Sequence, residues 1–179
     1  ACGNCVVFKP AELVPASPWT LADIIQRAGL PPGVLNLVMG PGSKVGPALA
    51  SSPDIDAVSF TGSQDVGPSV AAAAVKTGAR VQLEMGGKNP LIVLDDADLP
   101  TAVSVAVNGA FFQAGQRCTA SSRLIVTEGI HDRFVAAVAD KLRGLTIDHA
   151  LEPGTDIGPV VDARQLAQKY FGDIPRGPD

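Results

Sequence analysis

Two residues in this chain are of the types that thiol-based acyl chemistry requires, and each is set beside glycine. Cys118 lies in Gln113-Ala114-Gly115-Gln116-Arg117-Cys118-Thr119-Ala120, after a long apolar helical segment. Glu84 lies upstream in Gln82-Leu83-Glu84-Met85-Gly86-Gly87-Lys88-Asn89-Pro90. A cysteine is the side chain best suited to attack an aldehyde or ester carbonyl near neutral pH, because an appreciable fraction ionises and the thiolate is intrinsically reactive. A carboxylate on a second glycine-containing loop supplies a general base. Taken alone, Cys118 reads equally as a buried structural thiol, the usual fate of a free cysteine. Its surroundings decide between the two readings.

A second set of residues has the character of a nucleotide site. In Phe60-Thr61-Gly62-Ser63-Gln64-Asp65-Val66-Gly67 a strand ends, a Gly-Ser turn follows, and a helix begins whose free N–H groups could meet a phosphate. The plainer reading is a capped helix with Ser63 as its N-cap, and the segment has no G-x-G-x-x-G. Lys9 and Glu12 straddle the end of the first strand. On the surface they are a solvated pair; in a crevice the lysine reaches a ribose or phosphate and the glutamate a ribose diol. Asp95-Asp96-Ala97-Asp98 looks like a metal cluster but reads better as electrostatic capping of the next helix. No metal site is expected. His131 and His149 stand apart from each other and from any cysteine, which suits surface or cap roles.

The elements that must position these residues alternate. Strands are expected at Cys5–Phe8, Leu35–Val38, Ala57–Phe60, Arg80–Glu84, Pro90–Val93 and Ser122–Thr127. Helices are expected at Trp19–Ala28 (started by Ser17-Pro18 and stopped by Gly29), Ser43–Ser51, Asp65–Thr77, Leu99–Phe112 with Asp98 as cap, and Ile130–Leu142 closed by Gly144. Repeated strand–helix units of this length predict an α/β fold, a Rossmann-like parallel sheet with helices on both faces. Ligands of such sheets bind at the carboxyl ends of the strands. The loops at Lys9–Glu12, Gly40–Gly42, Thr61–Gly67 and Glu84–Gly87 all follow strands.

Composition bounds the alternatives. The chain has 179 residues, 46% of them hydrophobic, and a net charge of −4. No stretch approaches the roughly 18 uncharged apolar residues of a membrane span, and no Lys/Arg cluster exists to neutralise nucleic-acid phosphates. Neither a membrane nor a nucleic acid is therefore an expected partner. Three cysteines make an odd count, which favours a reducing, cytoplasmic setting over a disulfide framework. Cys2-Gly3-Asn4-Cys5 has redox or zinc spacing, but no second Cys pair or His cluster completes a metal site. The abrupt start in a strand reads as that of an internal fragment. Residues 163–179 read as a poorly ordered tail, Pro/Gly-rich from Asp173 to Asp179.

Five segments together resemble the aldehyde dehydrogenase superfamily: Gly3-Asn4-Cys5-Val6-Val7-Phe8-Lys9-Pro10-Ala11-Glu12, Gly29-Leu30-Pro31-Pro32-Gly33-Val34-Leu35-Asn36, Phe60-Thr61-Gly62-Ser63, Leu83-Glu84-Met85-Gly86-Gly87-Lys88, and Gly115-Gln116-Arg117-Cys118-Thr119-Ala120. They stand in that family's order and spacing, from about Gly3 to Asp162. The variant Glu84-Met85-Gly86-Gly87-Lys88-Asn89-Pro90 is most similar to the bacterial 2-oxoglutarate semialdehyde dehydrogenases. The resemblance implies that residues 1–84 are part of an NAD-binding domain and 85–162 the start of an incomplete catalytic domain. It implies Cys118 as nucleophile and Glu84 as the base that activates water. It assigns Lys9 and Glu12 to the adenosine ribose, Ser63 in its Gly62–Gly67 turn to the pyrophosphate, and Val66 to one face of the adenine. The cofactor is then NAD, with NADP as the alternative, since Glu12 faces the 2′ position. The substrate is a small aldehyde.

Family members are far longer than this chain. The oxyanion-hole asparagine, the C-terminal glutamate at the nicotinamide ribose and the oligomerisation arm fall outside it. The isolated chain is accordingly expected to be weakly active or inactive, and its exposed sheet edges point to a homo-oligomer. Two other readings stay open. One is a nucleotide-binding module with an unreactive Cys118, or a purely structural fragment. The other is a cysteine hydrolase, which needs a histidine partner that His131 supplies poorly.

Overall fold

A computed structural model of the chain describes residues 3–171. Six strands and six helices follow one another as β1 Val6–Phe8, α1 Ala16–Arg27, β2 Leu35–Leu37, α2 Gly42–Ala50, β3 Ala57–Gly62, α3 Gly67–Lys76, β4 Arg80–Met85, β5 Asn89–Val93, α4 Leu99–Ala110, β6 Ser121–Val126, α5 Glu128–Arg143 and α6 Ala163–Phe171. A short 3₁₀ turn, Phe112–Gly115, joins α4 to the Cys118 loop. Every ladder is parallel, as the strand–helix alternation predicts: β1 with β2, β3 with β4, and β5 with β6. Each pair is one right-sized βαβ unit, crossed over by α1, α3 or α4 respectively. Among the described residues the ladders form three separate two-stranded sheets, not one continuous sheet. A single crossover helix makes its own two strands neighbours and says nothing about joining one pair to the next.

The chain divides into two compact units, Ala1–Met85 and Gly86–Asp179. In the first, β1 to β4 carry α1, α2 and α3. Small residues make this packing: Ala74 of α3 is fully buried, with Ala50 and Ala79 nearly so, and α3 lies against β3 and β4. α1 buries none of its residues. Its end is sharply defined nonetheless. Gly29, at φ +89°, lets its N–H bond the Gln26 carbonyl and the Leu30 N–H bond the Ile25 carbonyl, the paired closure that a left-handed glycine permits.

The second unit has the larger side chains inside. Val93 of β5, Val103, Ala106 and Val107 of α4, and Ile130, Phe134 and Val138 of α5 form one core cluster. The spacing 103, 106, 107 and 130, 134, 138 is one face of each helix, and burying each large side chain stabilises by about 1.5–3 kcal/mol. Both helices begin where the sequence allows. Asp98 accepts the Thr101 N–H at 3.0 Å as the α4 cap, and Thr127 precedes α5 in an extended conformation, its hydroxyl held by Asp95 at 2.5 Å.

Several boundaries differ from expectation for local reasons. α1 starts at Ala16, with Pro15 as its cap residue and Ser17-Pro18 inside its first turn, where a missing N–H costs nothing. β3 runs through Thr61 and Gly62, pairing Gly62 with Met85, so Gly62 is strand rather than turn. Residues 163–171 of the expected tail form α6 instead. Asp162 caps it by accepting the Gln165 N–H at 2.7 Å, and the Asp162-x-x-Gln165 spacing is a capping pattern legible in the sequence. The remainder of that tail, and Cys2, lie outside the described residues. Among the described residues no helix is long and apolar enough to cross a membrane.

Candidate active site

The first unit builds a charged corner where β1 ends. Lys9 follows the strand directly and donates from Nζ to the Pro10 carbonyl at 2.7 Å. Glu12 reaches across to the first turn of α2, where its Oε2 accepts the Gly42 N–H at 3.0 Å. Gly42 lies so close to Lys9 that a Cβ there would stand 3.7 Å from Nζ. Lysine, glutamate and the positive end of α2 therefore meet at one place. A negative group is favoured at a helix N-terminus, and in this structure Glu12 occupies that position. Gly42, which takes the glutamate, was legible only as one residue of the Gly40–Gly42 loop.

The turn after β3 is the second part. Ser63 Oγ accepts the Val66 N–H at 3.3 Å, and its carbonyl takes the Gly67 N–H at 3.0 Å. Ser63 thus closes the turn that leads into α3, and Val66, not Ser63, is the residue that precedes the helix. Accepting through Oγ leaves the hydroxyl proton to donate outward. Val66 is exposed. A Cβ on Gly62 would run into the Phe60 ring, and one on buried Gly67 would meet the Met85 thioether and have to displace it.

Glu84 stands on β4, opposite Thr61 in the ladder and exposed. Its Oε1 accepts a 3.1 Å hydrogen bond from Gln82 Nε2. Residues two apart on a strand share a face, so this partner was available from spacing alone. It was passed over.

Cys118 lies in the second unit on a loop held at several points. The approach is strained: Gln113 and Ala114 have φ of 55° and 52°, followed by Gly115 at 61°, and only glycine takes that region freely. Gln116 Nε2 donates back to the Gln113 carbonyl at 3.1 Å, while its Oε1 accepts the Val161 N–H at 2.9 Å. The Arg117 guanidinium donates to the Asn108 and Gly109 carbonyls at the end of α4, satisfying acceptors a helix leaves open. Ala120 N–H closes a turn onto the Arg117 carbonyl at 3.0 Å. Asn89 Nδ2 donates to the carbonyls of Cys118, at 2.7 Å, and Ala120, at 3.2 Å. The thiol at this turn is free and exposed, which removes the buried structural reading. Cys5 is also free and exposed, just before β1. His131 sits in the first turn of α5 paired with its neighbour Asp132 at 2.9 Å, and His149 Nδ1 accepts the Leu151 N–H at 3.3 Å. Both are in local roles.

The class is thus an α/β protein of βαβ units, with a lysine–glutamate corner and a serine turn after its strands and an exposed cysteine on a fixed loop. Residues 1–170 match the aldehyde dehydrogenase family. The chain belongs to that family. It is 46% identical over 164 residues to the alpha-ketoglutaric semialdehyde dehydrogenase of Bacillus subtilis, covering 92% of this chain and 34% of that protein. It is 47% identical over 169 residues to the cytosolic aldehyde dehydrogenase 1 of Rattus norvegicus, covering 94% and 34%. Among solved structures, betaine aldehyde dehydrogenase from Staphylococcus aureus in complex with NAD+ superimposes with a TM-score of 0.88 at 35% identity, over 92% of this chain and 33% of that one. The chain spans about a third of the length of these relatives.

Proposed function

We propose that a protein carrying this chain within a family-length sequence oxidises an aldehyde to a carboxylate, using Cys118 as nucleophile and Glu84 as base. The observation that carries the reading is the exposed Cys118 thiol, set on a turn that Asn89, Gln116 and Arg117 hold in place. The Cys118 sulfur attacks the aldehyde carbon. A carbon–sulfur bond forms, and the carbonyl electron pair moves onto oxygen, where the Cys118 backbone N–H helps to hold it. That carbon then gives up its hydrogen together with the bonding electron pair to a two-electron acceptor, the oxygen re-forms the carbonyl, and a thioester is left on Cys118. Glu84 takes a proton from water, the water attacks the thioester carbon, and the carbon–sulfur bond breaks to release the carboxylate and restore the thiolate. Gln82 keeps the Glu84 carboxylate oriented through its amide hydrogen bond.

The nicotinamide cofactor, when bound, supplies the two-electron acceptor. The first unit fits its adenosine half. Lys9 and Glu12 converge on the N-terminus of α2 at Gly42, whose N–H Glu12 accepts and which lies beside the Lys9 ammonium. They would take the ribose, the Ser63 hydroxyl in the turn between Gly62 and Gly67 would donate to the pyrophosphate, and exposed Val66 would lie on the adenine. The Glu12 charge favours NAD over NADP. By this reading residues 1–84 belong to cofactor binding and 85–162 bring the nucleophile. The 46% identity to the B. subtilis relative makes 2-oxoglutarate semialdehyde the first substrate to try, and a homo-oligomer the expected assembly.

Iodoacetamide labelling resolved by peptide tests the reading, with Cys5 as an exposed reference thiol. Cys118 is expected to label faster than Cys5 and to change its rate when NAD is added. A non-catalytic nucleotide module gives the opposite result: NAD binds, and Cys118 labels as Cys5 does throughout.

A further inference from the structure

We propose that Asn89 is a positioning residue for the reactive thiol, acting through the backbone of the Cys118 turn. Nothing in its residue type marks it for this. It is the first residue of β5, followed by Pro90, and the register slips there: Asn89 pairs with Ser121 and Pro90 with Arg123, leaving Ser122 as a bulge. A bulge re-aims the side chains beside it. At this one the half-buried Asn89 side chain meets the Cys118 loop, and one amide nitrogen serves two carbonyls, those of Cys118 and Ala120. The orientation of the amide follows from the partners. Turned over, its oxygen would face two carbonyl oxygens, so only the N–H₂ group satisfies both.

The geometry is that of a clamp closing a turn from outside. The Ala120 N–H closes the Arg117–Ala120 turn from within. Asn89 then fixes the carbonyl of the nucleophile itself and that of the residue two positions on. With the Cys118 carbonyl fixed, the peptide after it is fixed too, which constrains the backbone from which the Cys118 side chain projects. Gln116 and Arg117 hold the approach to the turn; Asn89 holds the turn at the reacting residue. Asn89 touches neither the sulfur nor a reacting atom in this account.

The proposal rests on Cys118 being the reactive thiol, and the test separates the two. In the full chain, iodoacetamide labelling at Cys118 and Cys5 is compared with hydrogen exchange of the 116–121 segment for the native chain and for Asn89→Asp, Asn89→Ala and Asn89→Gln. Asn89→Asp keeps the shape and removes the N–H donors, so it carries the test if Asn89→Ala loses its cooperative melt. Two lost hydrogen bonds of ordinary strength predict roughly tenfold faster exchange in the segment. The Cys118 to Cys5 labelling ratio is expected to fall by a similar factor in Asn89→Asp, with Asn89→Gln recovering part of it. If native Cys118 labels faster than Cys5 and Asn89→Asp changes neither exchange nor ratio, the positioning role is overturned and the nucleophile stands. If native Cys118 labels no faster than Cys5, the nucleophile reading fails and the positioning role falls with it.

Discussion

Replacing Phe134 by alanine tests the packing that supports the Cys118 loop. Phe134 is 1% exposed, and Ile130 and Val107 beside it in the cluster are equally enclosed. The ring lies in the middle of α5, whose buried face packs on α4, the helix that leads directly into the 3₁₀ turn before Cys118. Truncating an enclosed phenylalanine costs about 3–5 kcal/mol, the transfer free energy plus the cavity left by partial relaxation. At about 1.4 kcal/mol per tenfold change in equilibrium constant, the most protected amides of α4 and α5 should exchange faster by about a hundredfold or more. The neighbouring residue on the same helix is the control. Val135 is 49% exposed, and Val135→Ala is expected to stay within about 0.5 kcal/mol. Peptide-resolved hydrogen exchange with urea titration measures both. A Phe134→Ala cost below about 1 kcal/mol, or a Val135→Ala cost equal to it, would refute this description of the core.

Two further predictions concern charge. The Thr101 hydroxyl and then the Thr101 backbone N–H hold the Asp98 carboxyl below its ordinary value of 3.8. A carboxylate lowered on folding adds stability above its unfolded pKa and loses it as pH falls through the folded one. Asp98→Asn keeps a capping acceptor that does not titrate, so native stability should fall relative to that variant as pH drops below 3.8; a constant difference in melting temperature across that range contradicts the cap. Glu12→Gln retains an acceptor for the Gly42 N–H but removes the charge at the α2 N-terminus. Calorimetry should show NADP gaining on NAD by about two- to fivefold, the scale of an exposed charge at a helix terminus, and an unchanged preference would remove Glu12 as the discriminator.

How far the sequence carried the fold depends on which contacts were local. The βαβ units were legible because each needs only a strand, a helix of matching length and a second strand, as in β5–α4–β6 with Asp98 at the helix start. The α6 helix is announced only by the Asp162–Gln165 cap of its first turn, a weak signal beside the Pro/Gly-rich sequence from Asp173 onward. That the three strand pairs keep separate ladders was not legible, since alternation orders strands only across one crossover. The site divides the same way. Cys118 and Glu84 stand out by residue type on glycine-containing segments, and Lys9 and Glu12 by their place at the end of the first strand, while the roles proposed for all four rest on the family resemblance. Asn89 does not stand out, because its role depends on a bulge that brings β5 against a loop distant in sequence. Gln116 likewise reaches Val161 only through the tertiary fold. The hold of Glu12 on the α2 N-terminus depends on the position of Gly42, 30 residues away, which only the fold supplies.

The central claim is that Cys118 carries the acyl group and Glu84 releases it. A family-length protein bearing this chain with Glu84→Gln, given aldehyde and NAD and then quenched in acid, should retain an acyl mass on the peptide containing Cys118, because attack proceeds while hydrolysis stalls. The same protein with Cys118→Ser should retain none. An acyl mass on another residue, or turnover that survives Cys118→Ser, would contradict the account.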